Sequence, residues 1–156
     1  MVAFWIISVD QWTKSTVLKK LPLHHSVKVV EGFFNLTHVR NTGGAFGIFG
    51  GERGGFGSVL FLAVSLVAIG CIVILFLRLR DDDKHLSLSY SLILSGAIGN
   101  LIDRLRYGEV VDFLDFYISS FHWPAFNIAD SAICVGIGLM AVELLLHDHK
   151  KKKNSS

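Results

Sequence analysis

Charge is scarce in this chain. Charged residues make up 18% of its 156 positions, where an ordinary soluble domain carries about 25%. That scarcity, with long apolar runs, excludes a disordered or collagen-like chain. The net charge of +2 is too small to argue for nucleic acid. Cysteine is nearly absent, which excludes a disulfide scaffold. Cys71 and Cys134 each lie within an apolar run, outside any CxxC or Cys/His pattern with metal-ligand spacing. Both read as small apolar packing residues. The usual hydrolase motifs are missing too. None of the seven histidines (His24, His25, His38, His85, His122, His147, His149) belongs to an HExxH, and their spread along the chain argues against a zinc site. A G-x-S-G serine-protease pattern would need glycine at Ile93. A G-x-G-D pattern fails because Gly55-Phe56-Gly57 is followed by Ser58, and no phosphate-binding G-x-x-x-x-G-K-[ST] loop is present.

What the chain has is hydrophobicity: 51% of its residues are in the hydrophobic set and mean hydropathy is +0.51. Gly54 to Leu77 contains no charge and is long enough to cross roughly 30 Å of hydrocarbon as a helix. Leu86 to Ile102 is a second uncharged run. Phe126 to Leu146 is a third, interrupted by Asp130 and Glu143. Met1 to Leu21 starts uncharged, then carries Asp10 and Lys14. With no basic segment before it and no A-x-A-like site after it, it reads as a first transmembrane helix rather than a signal peptide. The expectation is an α-helical polytopic membrane protein forming a single domain over 1–156. Its four transmembrane helices cover about 1–20, 58–78, 86–103 and 126–146. The intervening segments 22–57 and 104–125 supply a small β-rich extracytoplasmic domain and a Gly-rich loop.

Four spans put both termini on one side, together with the short link 78–85. Arg78, Arg80, Lys84 and the tail lysines Lys150 to Lys153 crowd that side. The longer segments 22–57 and 104–125 carry fewer positive residues over more length. By the positive-inside rule the termini are cytoplasmic and the long segments face outward.

The outward segments have their own character. Residues 27–40 are rich in Val, Phe and Thr and read as strand. Eight of the fifteen residues from Gly43 to Gly57 are glycine, with Phe46, Phe49 and Phe56 among them. Glycine at that density allows tight bends and close approach to a ligand. A functionless flexible linker would be expected to carry Ser and charge in place of Phe, so the segment reads as a partly mobile, substrate-contacting element.

Ionisable groups at membrane depth are costly, and each is a functional candidate. Asp10 lies midway along the first span. Asn100, Asp103 and Arg104 lie at the outer end of the third, and Asn127 and Asp130 at the start of the fourth. Asp112 and Asp115 sit in the connecting segment VVDFLDFY. Because spans 3 and 4 are consecutive, Asp103, Asp112, Asp115, Asn127 and Asp130 all lie near the outer membrane face. Two carboxylates held close in a low-dielectric site cannot both ionise cheaply. One keeps a proton and polarises an amide carbonyl while the other takes a proton from water, which suits peptide hydrolysis without a metal. A salt bridge to Arg104 or Arg106 would account for Asp103, and a solvated loop position for Asp115. Asp112 and Asp130 sit among apolar neighbours with no cation adjacent in sequence, and these two make the better pair.

Five motifs in this order resemble the bacterial lipoprotein signal peptidases, the signal peptidase II family. They are Asp10-Gln11-Trp12-Thr13-Lys14; Asn41-Thr42-Gly43-Gly44-Ala45-Phe46; Gly96 through Asn100 to Asp103-Arg104; Val110-Val111-Asp112-Phe113; and Phe126-Asn127-Ile128-Ala129-Asp130-Ser131. The resemblance covers nearly the whole chain. It implies a four-span inner-membrane aspartyl endopeptidase that cuts the signal peptide from diacylglyceryl-modified prolipoproteins just before the lipidated cysteine. It implies Asp112 and Asp130 as catalytic residues, and Asn41, Gly43, Asn100, Asp103, Arg104, Asn127 and Asp10 as supporting or substrate-binding residues. It also implies no metal or organic cofactor, inhibition by globomycin-type peptides, and lipidated prolipoproteins and membrane lipids as partners, with no nucleic acid; a monomer is the default.

The competing reading from the residues is a small proton-coupled membrane carrier using Asp10, Asp103 and Asp130 as a relay. Carriers usually show internal repeats with broken helices, and residues 1–80 and 81–156 share no self-similarity. A purely structural membrane subunit would not need so many polar groups at one depth.

Overall fold

The uncharged run after the Gly-rich stretch forms one continuous helix, because nothing within it breaks an apolar backbone that must satisfy its own hydrogen bonds. The computed structural model describes residues 1–43, 55–80 and 82–154, with side chains through residue 146. In chain order its elements are α1 (Val2–Lys20), β1 (Ser26–Val30), β2 (Phe34–Asn41), α2 (Phe56–Leu77), α3 (Lys84–Tyr107), β3 (Val110–Ile118), β4 (Phe121–His122) and α4 (Ile128–Asn154). Three helical stretches are long and apolar enough to cross a membrane: Phe56–Leu77, Lys84–Tyr107 and Ile128–Leu146. Helix α1 has the length for a span, but Asp10, Lys14, Lys19 and Lys20 keep it outside that group.

Helix α3 is the axis of the fold, packing against α4, α1 and α2. Its buried face runs through Ser89, Ile93, Gly96, Asn100 and Asp103, a spacing of alternating four and three residues that makes one stripe. Small residues on that stripe let α4 approach closely, as expected where helices pack in lipid. A Cβ at Gly96 would collide with the carbonyl oxygen of Ala129, and one at Gly136 would lie 2.7 Å from Ile93 and 2.8 Å from the Ser89 carbonyl. Helix α2 touches α3 alone among the described elements and leaves Val59, Val64, Leu66 and Val67 exposed.

The strand expectation for 27–40 is met by β1 and β2, joined by a tight turn at Gly32, whose φ of 77° favours glycine. They belong to an antiparallel sheet of order β1-β2-β3-β4. Gly108 ends α3 in the left-handed conformation and turns the chain directly into β3. The register sets Asn41 opposite Val110 and Val39 opposite Asp112. Phe126 bridges back to Leu114, which brings the start of α4 against β3.

Two expectations fail. Cys71 and Cys134 are exposed on their helices, not packed inside; both helices are apolar on faces that no neighbour covers. Asp115 is not a solvated loop residue. It lies on β3, 8% exposed, accepting from Asn35 Nδ2 at 2.8 Å and paired with His122 Nδ1 at 2.8 Å. The mobile-element reading of the Gly-rich segment, with Phe46 and Phe49, falls mostly outside the described residues. Phe56 opens α2 and is exposed.

Candidate active site

The polar residues picked out along the sequence converge where the ends of α3 and β2, the start of α4 and the body of β3 meet α1. Asp112 points inward from β3 and is 2% exposed. Its Oδ1 accepts from Asn127 Nδ2 at 2.7 Å and its Oδ2 from Asn41 Nδ2 at 3.0 Å. Asp130 sits in the first turn of α4. Its Oδ1 accepts from Asn100 Nδ2 at 2.7 Å and its Oδ2 from the backbone N–H of Asn127 at 3.3 Å. The Asp130 N–H in turn donates to Asn127 Oδ1 at 2.9 Å, so Asn127 caps the helix while bridging the two carboxylates. Asn127 and Asn100 also meet directly, Nδ2 to Oδ1, at 3.2 Å.

Burial pushes the Asp112 carboxyl up from 3.8 to about 6. The Asn41 bond opposes that rise, the nearby Asp130 charge adds to it, and Asn127 and Lys14 pull it back. A group balanced near neutrality in this way suits proton transfer.

Behind the carboxylates lies a fully buried ion cluster. Lys14 pairs with Asp10 Oδ2 at 2.9 Å and Asp103 Oδ2 at 2.8 Å, and donates to Asn100 Oδ1 at 3.0 Å. Gln11 Nε2 donates to Asp103 Oδ1 at 3.0 Å. Asp103 Oδ2 accepts from the Val111 N–H at 3.2 Å and Asp10 Oδ1 from the Ala129 N–H at 2.9 Å. These last two bonds fix the backbone next to Asp112 and Asp130. The cation on Asp103 is therefore Lys14 from another helix, not its sequence neighbours Arg104 or Arg106. Arg104 lies within electrostatic range of Asp130, Asp112 and Asp103, and its buried Nε has no hydrogen-bond partner among the described residues. Gly43 joins through Asn41, whose Oδ1 accepts the Gly43 N–H at 2.8 Å; with φ at 102° and the Phe61 ring against it, the position has no room for a side chain.

All nine residues singled out in the sequence thus lie in or beside one site. Lys14 and Gln11 stood in the first motif but had no role assigned. The signal was there: an Asp and a Lys four apart in an apolar helix share a face and neutralise each other.

The model of the family described as signal peptidase (SPase) II matches residues 2–146. The lipoprotein signal peptidase of Geobacter metallireducens is 48% identical over 147 residues, covering 94% of this chain and 90% of the relative. That of Geobacter sulfurreducens is 46% identical over 143 residues, covering 92% and 88%. A solved structure described as a bacterial membrane enzyme, determined by the in meso method at 2.3 Å, superposes with a TM-score of 0.85 at 33% identity, covering 96% of this chain and 88% of that one. With the family model spanning nearly its whole length, the chain belongs to the signal peptidase II family.

Proposed function

We propose that this protein is a membrane-embedded aspartic endopeptidase that removes the signal peptide from diacylglyceryl-modified prolipoproteins, cutting just before the lipidated cysteine, with Asp112 and Asp130 as the catalytic pair. The observation that carries this reading is the bridge through Asn127, which ties the buried Asp112 and the half-buried Asp130 into one network. With a single proton between them, the ionised member takes a proton from water as the water oxygen attacks the scissile carbonyl carbon. The protonated member donates to the carbonyl oxygen. The tetrahedral adduct then collapses, the C–N bond breaks, and the amine leaves with a proton returned from the pair. Neither step requires a covalent enzyme intermediate. Arg104, with a buried N–H to spare beside the pair, is placed to hold a substrate carbonyl. Asn41 and Gly43 stand at the end of β2, beside Asp112, where an extended substrate would pass.

In the same reading the chain is one domain and works as a monomer. It lies in the inner membrane with α1 as a fourth span and both termini cytoplasmic. The carboxylates sit near the outer face, the charge pairing inside α1 making its insertion tolerable. Family membership does not favour the carrier relay through Asp10, Asp103 and Asp130.

The test is cleavage of a lipidated model prolipopeptide in detergent by the wild type and by Asp112→Asn. Cleavage of the bond immediately before the lipidated cysteine, lost in the variant, is the expected result. An active variant overturns the catalytic assignment.

A further inference from the structure

Lys14 is 1% exposed and has three donors and no acceptor. All three are used: on Asp10, on Asp103 and on Asn100 Oδ1. The third has a consequence at the carboxylate pair. Asn100 Oδ1 receives donors from two sides, the Lys14 ammonium at 3.0 Å and Asn127 Nδ2 at 3.2 Å. A rotated amide would set its NH₂ against both donors and its oxygen against a carboxylate. The Asn100 amide is therefore locked, and its NH₂ must face Asp130 Oδ1, which it meets at 2.7 Å.

We propose that Lys14 is a positioning residue for the reaction: by locking the amide of Asn100 it keeps a fixed N–H on Asp130 and so holds that carboxylate in place within the pair. This inference rests on Asp112 and Asp130 being the catalytic pair. Each aspartate accepts one side-chain amide N–H at 2.7 Å, Asp130 from Asn100 and Asp112 from Asn127. The Asn100 amide is the one anchored to a buried cation on α1. A donor held rigidly favours the ionised form of its acceptor. The other charges facing the pair are Arg104 from α3, which acts on both aspartates, and Asp103 and Asp10, which lie behind Lys14 and share its one positive charge.

The test uses the full chain in detergent. Replacing Lys14 alone would strand two buried carboxylates, so the variant is Lys14→Met with Asp10→Asn, which leaves the formal charge of the cluster unchanged. Its kcat should fall about tenfold or more with KM within about twofold, and the acid limb of the kcat–pH profile should move up by about one unit, since the pair loses a fixed donor that favours its singly ionised form. Asn100→Leu, which leaves Lys14 paired with both carboxylates, should move the same limb equally. Combining the two should cost no more than about a further twofold, because both act through one bond. Additive losses, or an acid limb that stays in place, overturn the proposal. If the Lys14 variant does not fold, Asn100→Leu decides alone: an unmoved acid limb overturns it. Asp112→Asn is assayed in parallel, and activity there would overturn the catalytic pair itself, whatever Lys14 does.

Discussion

Asp112 makes the sharpest predictions at the scale of single residues. Its carboxyl, raised by burial to about 6, binds a proton more tightly in the folded protein than in the unfolded chain. The stability this contributes is fully present below the unfolded value of 3.8 and is lost as pH rises through about 6. Asp112→Asn removes that titration. Its melting temperature relative to wild type should therefore climb between about pH 4 and pH 7, by the equivalent of roughly 2 kcal/mol; a gap that does not change with pH would contradict this. Asp130→Asn, like Asp112→Asn, should abolish cleavage while leaving a folded, membrane-inserted protein, and near-normal turnover would rule out a role in catalysis. Asp103 has a different character, because its partners are Lys14, Gln11 and the Val111 N–H. Asp103→Asn keeps the shape but leaves Lys14 with one carboxylate fewer. It should lower the melting point in detergent by the equivalent of about 3 kcal/mol, the loss typical of breaking a buried ion pair. Unchanged melting with no activity would instead place Asp103 in the chemistry.

Between elements, the close seat of α4 on α3 sets how far apart the functional side chains stand. Gly96→Ala should destabilise by about 1–3 kcal/mol, since the new methyl meets the Ala129 carbonyl and Ile133. Gly138→Ala should be neutral or stabilising by up to about 1 kcal/mol, because nothing lies within 4 Å and alanine is the better helix former. Thermal melts of the two, measured side by side, separate packing from propensity; equal effects would refute the close-packing account. The same contrast explains what could be read from the sequence. The helical runs after residue 54 and the β character of 27–40 were legible because composition and length decide them locally. Asp112 and Asp130 were legible because a carboxylate without an adjacent cation is conspicuous in an apolar segment. Asp115 was not, because Asn35, which buries it, is 80 residues away and pairs with it only through the β2–β3 register. Nor was the partner of Asp103, contributed by α1 from 89 positions earlier in the chain. The cysteines were misread for a third reason. A helix apolar on every side has no periodicity to say which face is covered.

For the whole molecule, α2 is the test of the membrane reading. Most of its apolar side chains face outward, and among the described helices and strands it packs on α3. Val67, near its middle and exposed, should tolerate leucine, whereas Val67→Lys should disfavour insertion by about 3 kcal/mol. A glycosylation-tag insertion assay on the full chain reads this directly, and equal insertion of the two variants would mean that α2 does not lie in lipid. Asp10 Oδ1 receives its backbone donor from Ala129, 119 residues later in the chain. With α1 as the proposed fourth span, it enters the bilayer during synthesis long before that donor exists, and the Lys14 pairing within the helix is what it can carry alone. Asp112 likewise waits for Asn127. With Asp112 and Asp130 as the proposed pair, the enzyme stays inert on the ribosome until α4 is delivered, and a chain halted short of that helix should cut nothing. On that proposal, delivery of the last helix is its activation step.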